Sequence, residues 1–254
     1  MREYDTPENL IEGRNAVMEA LRAGTAIDKL YVARGGTDRT LGRLVAQAKQ
    51  AGAVISECDR RKLDAMSETH SHQGVIAVAA AQAYASVADI LRAAADRGEP
   101  PLAVVCDEIS DPHNLGAIIR SAECAGAHGV IIPKRRSAGL TAVVAKTSAG
   151  AVSHLPVARV SNIPALLKEL QKEGLWIFGA AAEGDKSLYE ADFRSPAAIV
   201  IGSEGDGIGR LVREQCDFLV SIPMKGRLNS LNASAAAAVV LYEAVRQRGG
   251  RITK

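Results

Sequence analysis

The sequence predicts an α/β fold: a mainly parallel sheet with a second, smaller α/β unit in front of it. Three observations predict it. From Leu102 onward, short apolar runs alternate with longer amphipathic ones. Strands joined by crossover helices on both faces of one sheet read this way. Residues 9–79 carry a shorter alternation of the same kind. The stretch after residue 79 has no clear periodicity, so 80–86 is the expected linker between a first domain, 1–79, and a second, 87–254.

In the first domain, 15–21 is expected to be helical, with Ile11, Val17 and Leu21 apolar, and 29–33 to be a strand. Gly35 and Gly36 open a loop. An amphipathic helix over 39–51 follows, placing Leu41, Leu44, Val45 and Ala48 on one side. A strand over 53–56, a helix capped by Asp59 and running through Met66, and a strand over 74–79 complete the unit. In the second domain an alanine-rich helix over 87–96 ends at the Gly98–Pro101 break. Strands are expected at 102–106, 129–132, 175–180, 198–201 and 218–222, with helices at 115–125, 163–173, 208–214 and 234–248. No period of about 20 to 50 residues recurs, which excludes a repeat architecture.

The chain has 254 residues, 47% of them hydrophobic and 24% charged, enough to bury a sizeable core. Aromatic residues make up only 4%, which argues against a base-stacking platform as the main binding device. A net charge of +2 leaves any nucleic-acid argument to local clusters. Cys58, Cys106, Cys124 and Cys216 are scattered, with no spacing that suits zinc, so no metal site is expected. Cys106 and Cys124 sit in apolar runs and read as small core residues. Reduced thiols fit a cytoplasmic location. The opening residues, MREYDTPENL, lack an apolar signal core, and no run is long and apolar enough for a membrane span.

Ligands of parallel sheets collect at the carboxyl ends of the strands. Three polar segments follow expected strands there. The first, DPHNLGAIIRSAECAG, contains Asn114 at a turn into a helix and Arg120 six residues on, among Ile118, Ile119 and Ala122. Such an arginine either serves a site or simply snorkels or pairs with a carboxylate. In the second, IVIGSEGDGIG, Gly202, Gly205, Gly207 and Gly209 permit close backbone approach or positive φ. The dinucleotide fingerprint fails at Arg210, and no Lys-Ser/Thr follows as in a phosphate-gripping loop. Glu204 and Asp206 would also repel a pyrophosphate. The segment reads either as a tight strand–helix turn or as a loop for a neutral or cationic ligand. The third, IPMKGRLNSLNASAAAAVVLYEA, crowds Asn229, Ser230, Asn232 and Ser234 before an alanine-rich helix. That is more hydrogen-bonding capacity than a helix cap requires. Ile222, Met224 and Leu231 add apolar contacts for a flat ring.

Taken together, these segments resemble the SpoU (TrmH-type) branch of the SPOUT RNA methyltransferases. Asn114, Gly116 and Arg120 match the family's first motif. Gly202, Glu204, Gly205 and Gly207 match its second. Pro223, Met224, Gly226, Ser230, Leu231, Asn232 and Ser234 match its third. Weaker similarity in the first domain, through EGRNAV (12–17) and HQGV (72–75), resembles the substrate-binding domain of RlmB-type members, which methylate a guanosine ribose in large-subunit ribosomal RNA. The resemblance implies S-adenosyl-L-methionine as cofactor, a ribose 2′-hydroxyl as acceptor, a trefoil-knotted methyltransferase domain and a homodimer whose site is completed across the interface. It implies large-subunit (23S) rRNA as the partner, ahead of transfer RNA. A non-catalytic RNA-binding ribosomal factor is the rival reading, and the joint presence of the motif residues counts against it. The failed glycine fingerprint counts against a nucleotide-dependent oxidoreductase.

The same resemblance assigns roles. Arg120 would assist deprotonation of the ribose hydroxyl, with Asn114 orienting Arg120 or the ribose. A guanidinium stays protonated in water to about pH 12, so Arg120 would act with an RNA phosphate or stabilise the developing alkoxide. Glu204 would position the arginine or substrate, and Ser230 and Asn232 would hold substrate and loop. Gly202, Gly207, Ile222, Met224 and Leu231 would bind the cofactor. Phosphate contacts are expected from Lys134–Arg136, Lys146, Arg34, Arg39 and 60–62, any one of which alone reads as solvated surface charge. His70 and His72 lie in a loop with no carboxylate partner evident and read as structural or RNA-contacting.

Overall fold

The computed structural model describes residues 9–36 and 38–249. The expectation about a signal core falls largely on 1–8, which lie outside the described residues. The chain forms two compact units. One runs through Ala83 and takes in Gly139–Ala142, and the other holds Tyr84–Ala138 and the chain from Val143 on.

The first unit is built from β1 (Leu10–Glu12), α1 (Arg14–Arg22), β2 (Ile27–Ala33), α2 (Arg39–Gln50), β3 (Val54–Cys58), α3 (Arg60–Met66) and β4 (Val75–Ala79). Its sheet has the order β1-β4-β2-β3. The pairs β1–β4 and β4–β2 are antiparallel, whereas β2–β3 is parallel. Side chains alternate along each strand. Leu30, Val32, Val75 and Ala77 therefore face α1 and α2, where Val17, Leu41, Leu44 and Ala48 meet them. Tyr31, Ile76 and Val78 take the other face with Leu63 and Met66 of α3. The strand β1 has only three residues, too few for a period to declare itself. Asp38 caps α2 by accepting from the Leu41 N–H at 2.9 Å. Asp59, expected as the cap of α3, occupies that position but accepts no capping hydrogen bond.

Two segments far apart in sequence lock this unit. The Glu12 carboxylate accepts from Ser67 Oγ (2.6 Å), the Glu68 N–H (2.7 Å), the Thr69 N–H (3.3 Å) and the Thr69 hydroxyl. Arg14 donates its N–H to the Gln73 side chain (3.2 Å) and its Nε to the Gln73 carbonyl (3.1 Å). His72 is structural, one of the two readings the sequence allows, and it does have a carboxylate partner. It is buried, its Nδ1 accepts from the Gly74 N–H (3.0 Å), and its Nε2 donates to Asp64 (2.8 Å). Its partner lies one helix upstream, and only the fold brings the two together.

The second unit contains α4 (Val87–Arg97), β5 (Leu102–Cys106), α5 (Pro112–Cys124), β6 (Gly129–Pro133), α6 (Ala142–Thr147), β7 (Val157–Val160), α7 (Ile163–Lys172), β8 (Trp176–Ala180), β9 (Lys186–Ser187), β10 (Ala197–Ile201), α8 (Arg210–Arg213), β11 (Phe218–Ser221) and α9 (Ala233–Gln247). All strand pairs are parallel, in the order β7-β6-β5-β10-β8-β11-β9. Ala103, Val105, Ile177, Ala198 and Val200 face one side, against α4, α7 and α8. The alternate residues face α9 and its neighbour α5. Strands β7 and β9 and helix α6 are additions to the expected elements. Each has six residues or fewer, below the length at which periodicity reads clearly.

Of the two cysteines expected in the core, one is found there and the other is a correction with a physical cause. Cys106 is fully buried, and burial, then the neighbouring Asp107, pushes its thiol up to about 12. Cys124 is exposed instead of buried. It lies two positions past Ala122, which at about 100° per residue turns it away from the buried side of α5. At the far end of α9, Arg248 donates to the carbonyls of Pro100 (2.6 Å), Pro101 (3.1 Å), Phe193 (2.8 Å) and Ser195 (2.7 Å). One guanidinium thus ties the last helix to the chain just before β5 and before β10.

The Glu12 hub gives a pH-dependent test. Burial alone would raise the Glu12 carboxyl, but the Ser67, Thr69 and Glu68 donors outweigh it and bring it from 4.5 down to about 2. The stabilisation is therefore complete above pH 4.5 and is lost as pH falls toward 2. Glu12→Gln should cost about 1–2 kcal/mol near neutral pH. In urea denaturation at a series of pH values, its deficit against the wild type should close over that window.

Candidate active site

The strand order reverses between β5 and β10, and ligands of open parallel sheets bind outside the carboxyl ends at such a point. A cavity of about 520 Å³ opens beside it, at the ends of β10, β8 and β11. Its walls are the three segments that follow those strands. Ala180–Glu183 leave β8, Gly202–Ile208 leave β10, and Ile222, Met224 and Asn229–Leu231 leave β11.

The glycine segment is folded back on itself. The Ser203 N–H donates to the Gly207 carbonyl and the Gly207 N–H to the Ser203 carbonyl, both at 3.0 Å. A Cβ on Gly202 would lie 2.1 Å from the Gly207 carbonyl carbon, so no side chain fits there. Gly207 has φ +63°, in the left-handed region that favours glycine. Gly205 meets nothing, so its glycine is not dictated by packing within the chain.

Asn232 joins this segment to the other two. Its Oδ1 caps α9, accepting from the N–H groups of Ser234 (3.0 Å) and Ala235 (3.2 Å) and from Ser234 Oγ (2.6 Å). Its Nδ2 is then free to point the other way, donating to Asn114 Oδ1 at 2.9 Å and to Glu204. Asn114 completes the triangle by donating its own Nδ2 to Glu204 Oε1 at 2.9 Å. Each amide thus has its oxygen and nitrogen assigned by its partners. An aspartate could cap α9 but has nothing to donate to Glu204, and a serine has one proton where Asn232 donates to both Asn114 and Glu204. This is the excess polarity noted in the third segment.

The remaining expected residues divide clearly. Gly202, Gly207, Ile222, Met224, Ser230, Leu231 and Glu204 all line the cavity. Asn114 is buried at its edge through the Glu204 bond. Ser230 makes only a 3.5 Å contact to Asn229 Oδ1, leaving its hydroxyl largely available. Arg120 is not brought to the cavity of its own chain. It is exposed on α5 and has no hydrogen bond or ion pair among the described residues. Six residues turn a helix through about 600°, which leaves Arg120 roughly 120° around α5 from Asn114 and about 9 Å along it. Asn114 and Glu204 therefore hold each other, and within one chain neither orients Arg120.

Sequence reading missed two contributors. Ala180–Glu183 and Arg213 line the cavity, and Arg213 Nη2 donates to the Glu183 carbonyl at 3.2 Å. The signal available was position alone, directly after an expected strand. The second is Asp107, at the end of β5. It is 5% exposed, and its Oδ2 accepts from the Gly209 N–H at 2.8 Å. Its own N–H donates to the Ile201 carbonyl at 2.8 Å. Burial holds its carboxyl above the usual range, against the pull of the Gly209 N–H. Asp107 thus fixes both ends of the glycine segment to the central strand. Among the described residues no group of three or more His, Cys, Asp or Glu side chains could hold a metal ion, and no helix is long and apolar enough to cross a membrane.

Residues 101–242 match the SpoU rRNA Methylase family, and residues 10–85 match the RNA 2′-O ribose methyltransferase substrate binding domain. The chain is 46% identical over 236 residues to a TrmH family tRNA/rRNA methyltransferase of Bacillus subtilis (strain 168), covering 93% of this chain and 94% of that protein. It is similar in structure to the SpoU methyltransferase AviRb from Streptomyces viridochromogenes in complex with the cofactor AdoMet. The TM-score is 0.59 at 28% identity, over 95% of this chain and 91% of that one. The AdoMet-bound rRNA methyltransferase from Sinorhizobium meliloti gives a TM-score of 0.58 at 25% identity, over 94% of this chain and 87% of that one.

Removing the Asp107 acceptor leaves the Gly209 N–H without its partner. Asp107→Ala should lower the unfolding free energy by about 1–3 kcal/mol in urea denaturation, while Asp107→Asn, which keeps an acceptor oxygen, should recover most of it.

Proposed function

As this chain belongs to the SpoU rRNA Methylase family, we propose that it transfers the methyl group of S-adenosyl-L-methionine to a guanosine ribose 2′-hydroxyl in large-subunit (23S) ribosomal RNA. The observation that carries the reading is the Asn114–Glu204–Asn232 triangle, whose Glu204 lines the cavity. It ties the Asn114 segment to the two motif segments that line one volume suited to a nucleoside-sized ligand. The AdoMet-bound relatives support the cofactor. The residues present fit it: Ile222, Met224 and Leu231 offer apolar contacts to a flat ring, and Gly202 and Gly207 line the cavity with backbone alone. When bound, this cofactor supplies an electrophilic methyl on a sulfonium, so the protein needs no nucleophile of its own.

The chain's residues then have to present the ribose and manage its proton. Glu204, held by two amide donors, fixes the glycine segment against α5 and α9. Ser230 offers a hydroxyl to the substrate. Arg120 stabilises the developing alkoxide, or acts together with an RNA phosphate. Its place outside its own cavity supports a homodimer in which one copy's Arg120 serves the partner's site. The exposed Val239 and Tyr242 of α9, the neighbour of α5, suit the same arrangement. The trefoil-knotted path of the catalytic unit and a cytoplasmic location belong to this proposal. The rRNA methyltransferase from Sinorhizobium meliloti supports the ribosomal substrate. A second reading, transfer RNA as substrate, is favoured by the name of the Bacillus subtilis relative, which covers both RNAs.

Labelled methyl groups should pass from S-adenosylmethionine to unmodified large-subunit RNA and not to bulk transfer RNA, and nucleoside analysis should find 2′-O-methylguanosine. Label in transfer RNA alone would select the second reading. Arg120→Ala should reduce transfer by at least about 100-fold while S-adenosylmethionine still raises the melting temperature. Normal turnover by that variant would remove Arg120 from the reaction.

A further inference from the structure

We propose that the α3-bearing face of the N-terminal sheet is the surface along which the RNA backbone runs, with Lys29, Lys62 and Arg34 as its phosphate contacts. This rests on the reading of the chain as an RNA methyltransferase. In sequence the cations belong to separate segments, and Lys29 belongs to no cluster at all. The fold gathers them. Lys29 and Tyr31 share one face of β2, and the register of β2 with β3 sets Ser56 and Cys58 beside Tyr31 and Ala33. Arg34 follows at the end of β2, its N–H bonded to the Cys58 carbonyl at 2.9 Å. Lys62 reaches the same place from α3.

The way these cations are held points to an anionic partner. Lys29 Nζ lies 5.0 Å and Lys62 Nζ 5.1 Å from the centroid of the Tyr31 ring. A ring orients an ammonium group without neutralising it. Elsewhere in the unit Arg14 pairs with Asp38 at 2.7 Å and Arg22 with Glu19, whereas the α2 cations Arg39, Arg43 and Lys49 have no ion pair and no ring beneath them among the described residues, so the ring contact is what sets Lys29 and Lys62 apart. Among the described residues none of Lys29, Lys62, Arg34, Arg60 and Arg61 has an ion pair. The face is also open. Two helices cover the opposite side of the sheet, whereas here the seven-residue α3 covers only part, leaving Lys29, Val54 and Ser56 partly exposed.

The chemistry favours phosphates over bases. Tyr31 is only 9% exposed, so its ring is committed to the lysines and offers no stacking surface. Such a face supplies affinity and salt dependence but no choice of sequence. The choice of nucleotide then falls to the catalytic unit.

The test is binding of unmodified large-subunit ribosomal RNA and of bulk transfer RNA across a salt series. The proteins are the wild type, Lys29→Gln/Lys62→Gln, and Arg43→Gln/Lys49→Gln on α2, which packs on the opposite face. The face variant should lose roughly tenfold in affinity for both RNAs at low salt. Its slope of log K against log salt should shrink by about 1 per contact removed. Arg34→Gln should behave likewise at about half the effect, and the α2 variant should match the wild type. In all of them S-adenosylmethionine should raise the melting temperature as in the wild type, which separates loss of the face from loss of the fold. A face variant with wild-type affinity and slope, or an α2 variant equally impaired, overturns the proposal while leaving the catalytic reading intact. A wild-type protein that neither binds RNA nor methylates it overturns both.

Discussion

The catalytic unit depends on one hydrogen-bonded triangle. Asn114, Glu204 and Asn232 come from the start of α5, the segment after β10 and the residue before α9, and they meet at distances near 2.9 Å. These elements are up to 118 residues apart in the chain, so closing the triangle fixes the relative placement of most of the unit. Asn114 is buried, so leaving its amide without a partner costs more than a satisfied one contributes, and it depends on both exposed partners. Asn232 also serves as the cap of α9. The same side chain therefore starts the last helix and orients the cavity wall.

Around this triangle the cavity is built from backbone more than from side chains. Gly202 has no room for a Cβ, Gly207 needs positive φ, and Asp107 clamps the segment by taking the Gly209 N–H. A rigid loop of this kind can hold a ligand by its N–H and carbonyl groups without large rearrangement, and it costs little ordering on binding. Arg120 is the exception: it belongs to the motif by spacing, yet it faces solvent on α5. Its place outside the cavity is the observation on which the proposed two-copy site rests.

The two units divide the work along chemical lines. The N-terminal unit presents cations held over a ring, with little means of reading a base. The C-terminal unit holds the cavity and the acidic glycine segment, which would repel a phosphate. On the proposed reading, charge separates a surface for the nucleic-acid backbone from a pocket for a cationic cofactor and one ribose.

The sequence by itself determined the local elements and the chemistry of the three segments. The strands at Leu102–Cys106 and Ala197–Ile201 and the helix at Ala233–Gln247 are legible because apolar periodicity and caps are local. Excess polarity around Asn232 was visible for the same reason. Only the tertiary structure decided which groups meet. The order that sets β10 between β5 and β8, the Asp107–Gly209 bond, the Asp64 partner of His72 and the gathering of Lys29 with Lys62 all join residues that no period relates. Helix geometry likewise turned Cys124 to solvent and Arg120 away from Asn114. Local propensity acts over a few residues, whereas these contacts are set by how whole elements pack.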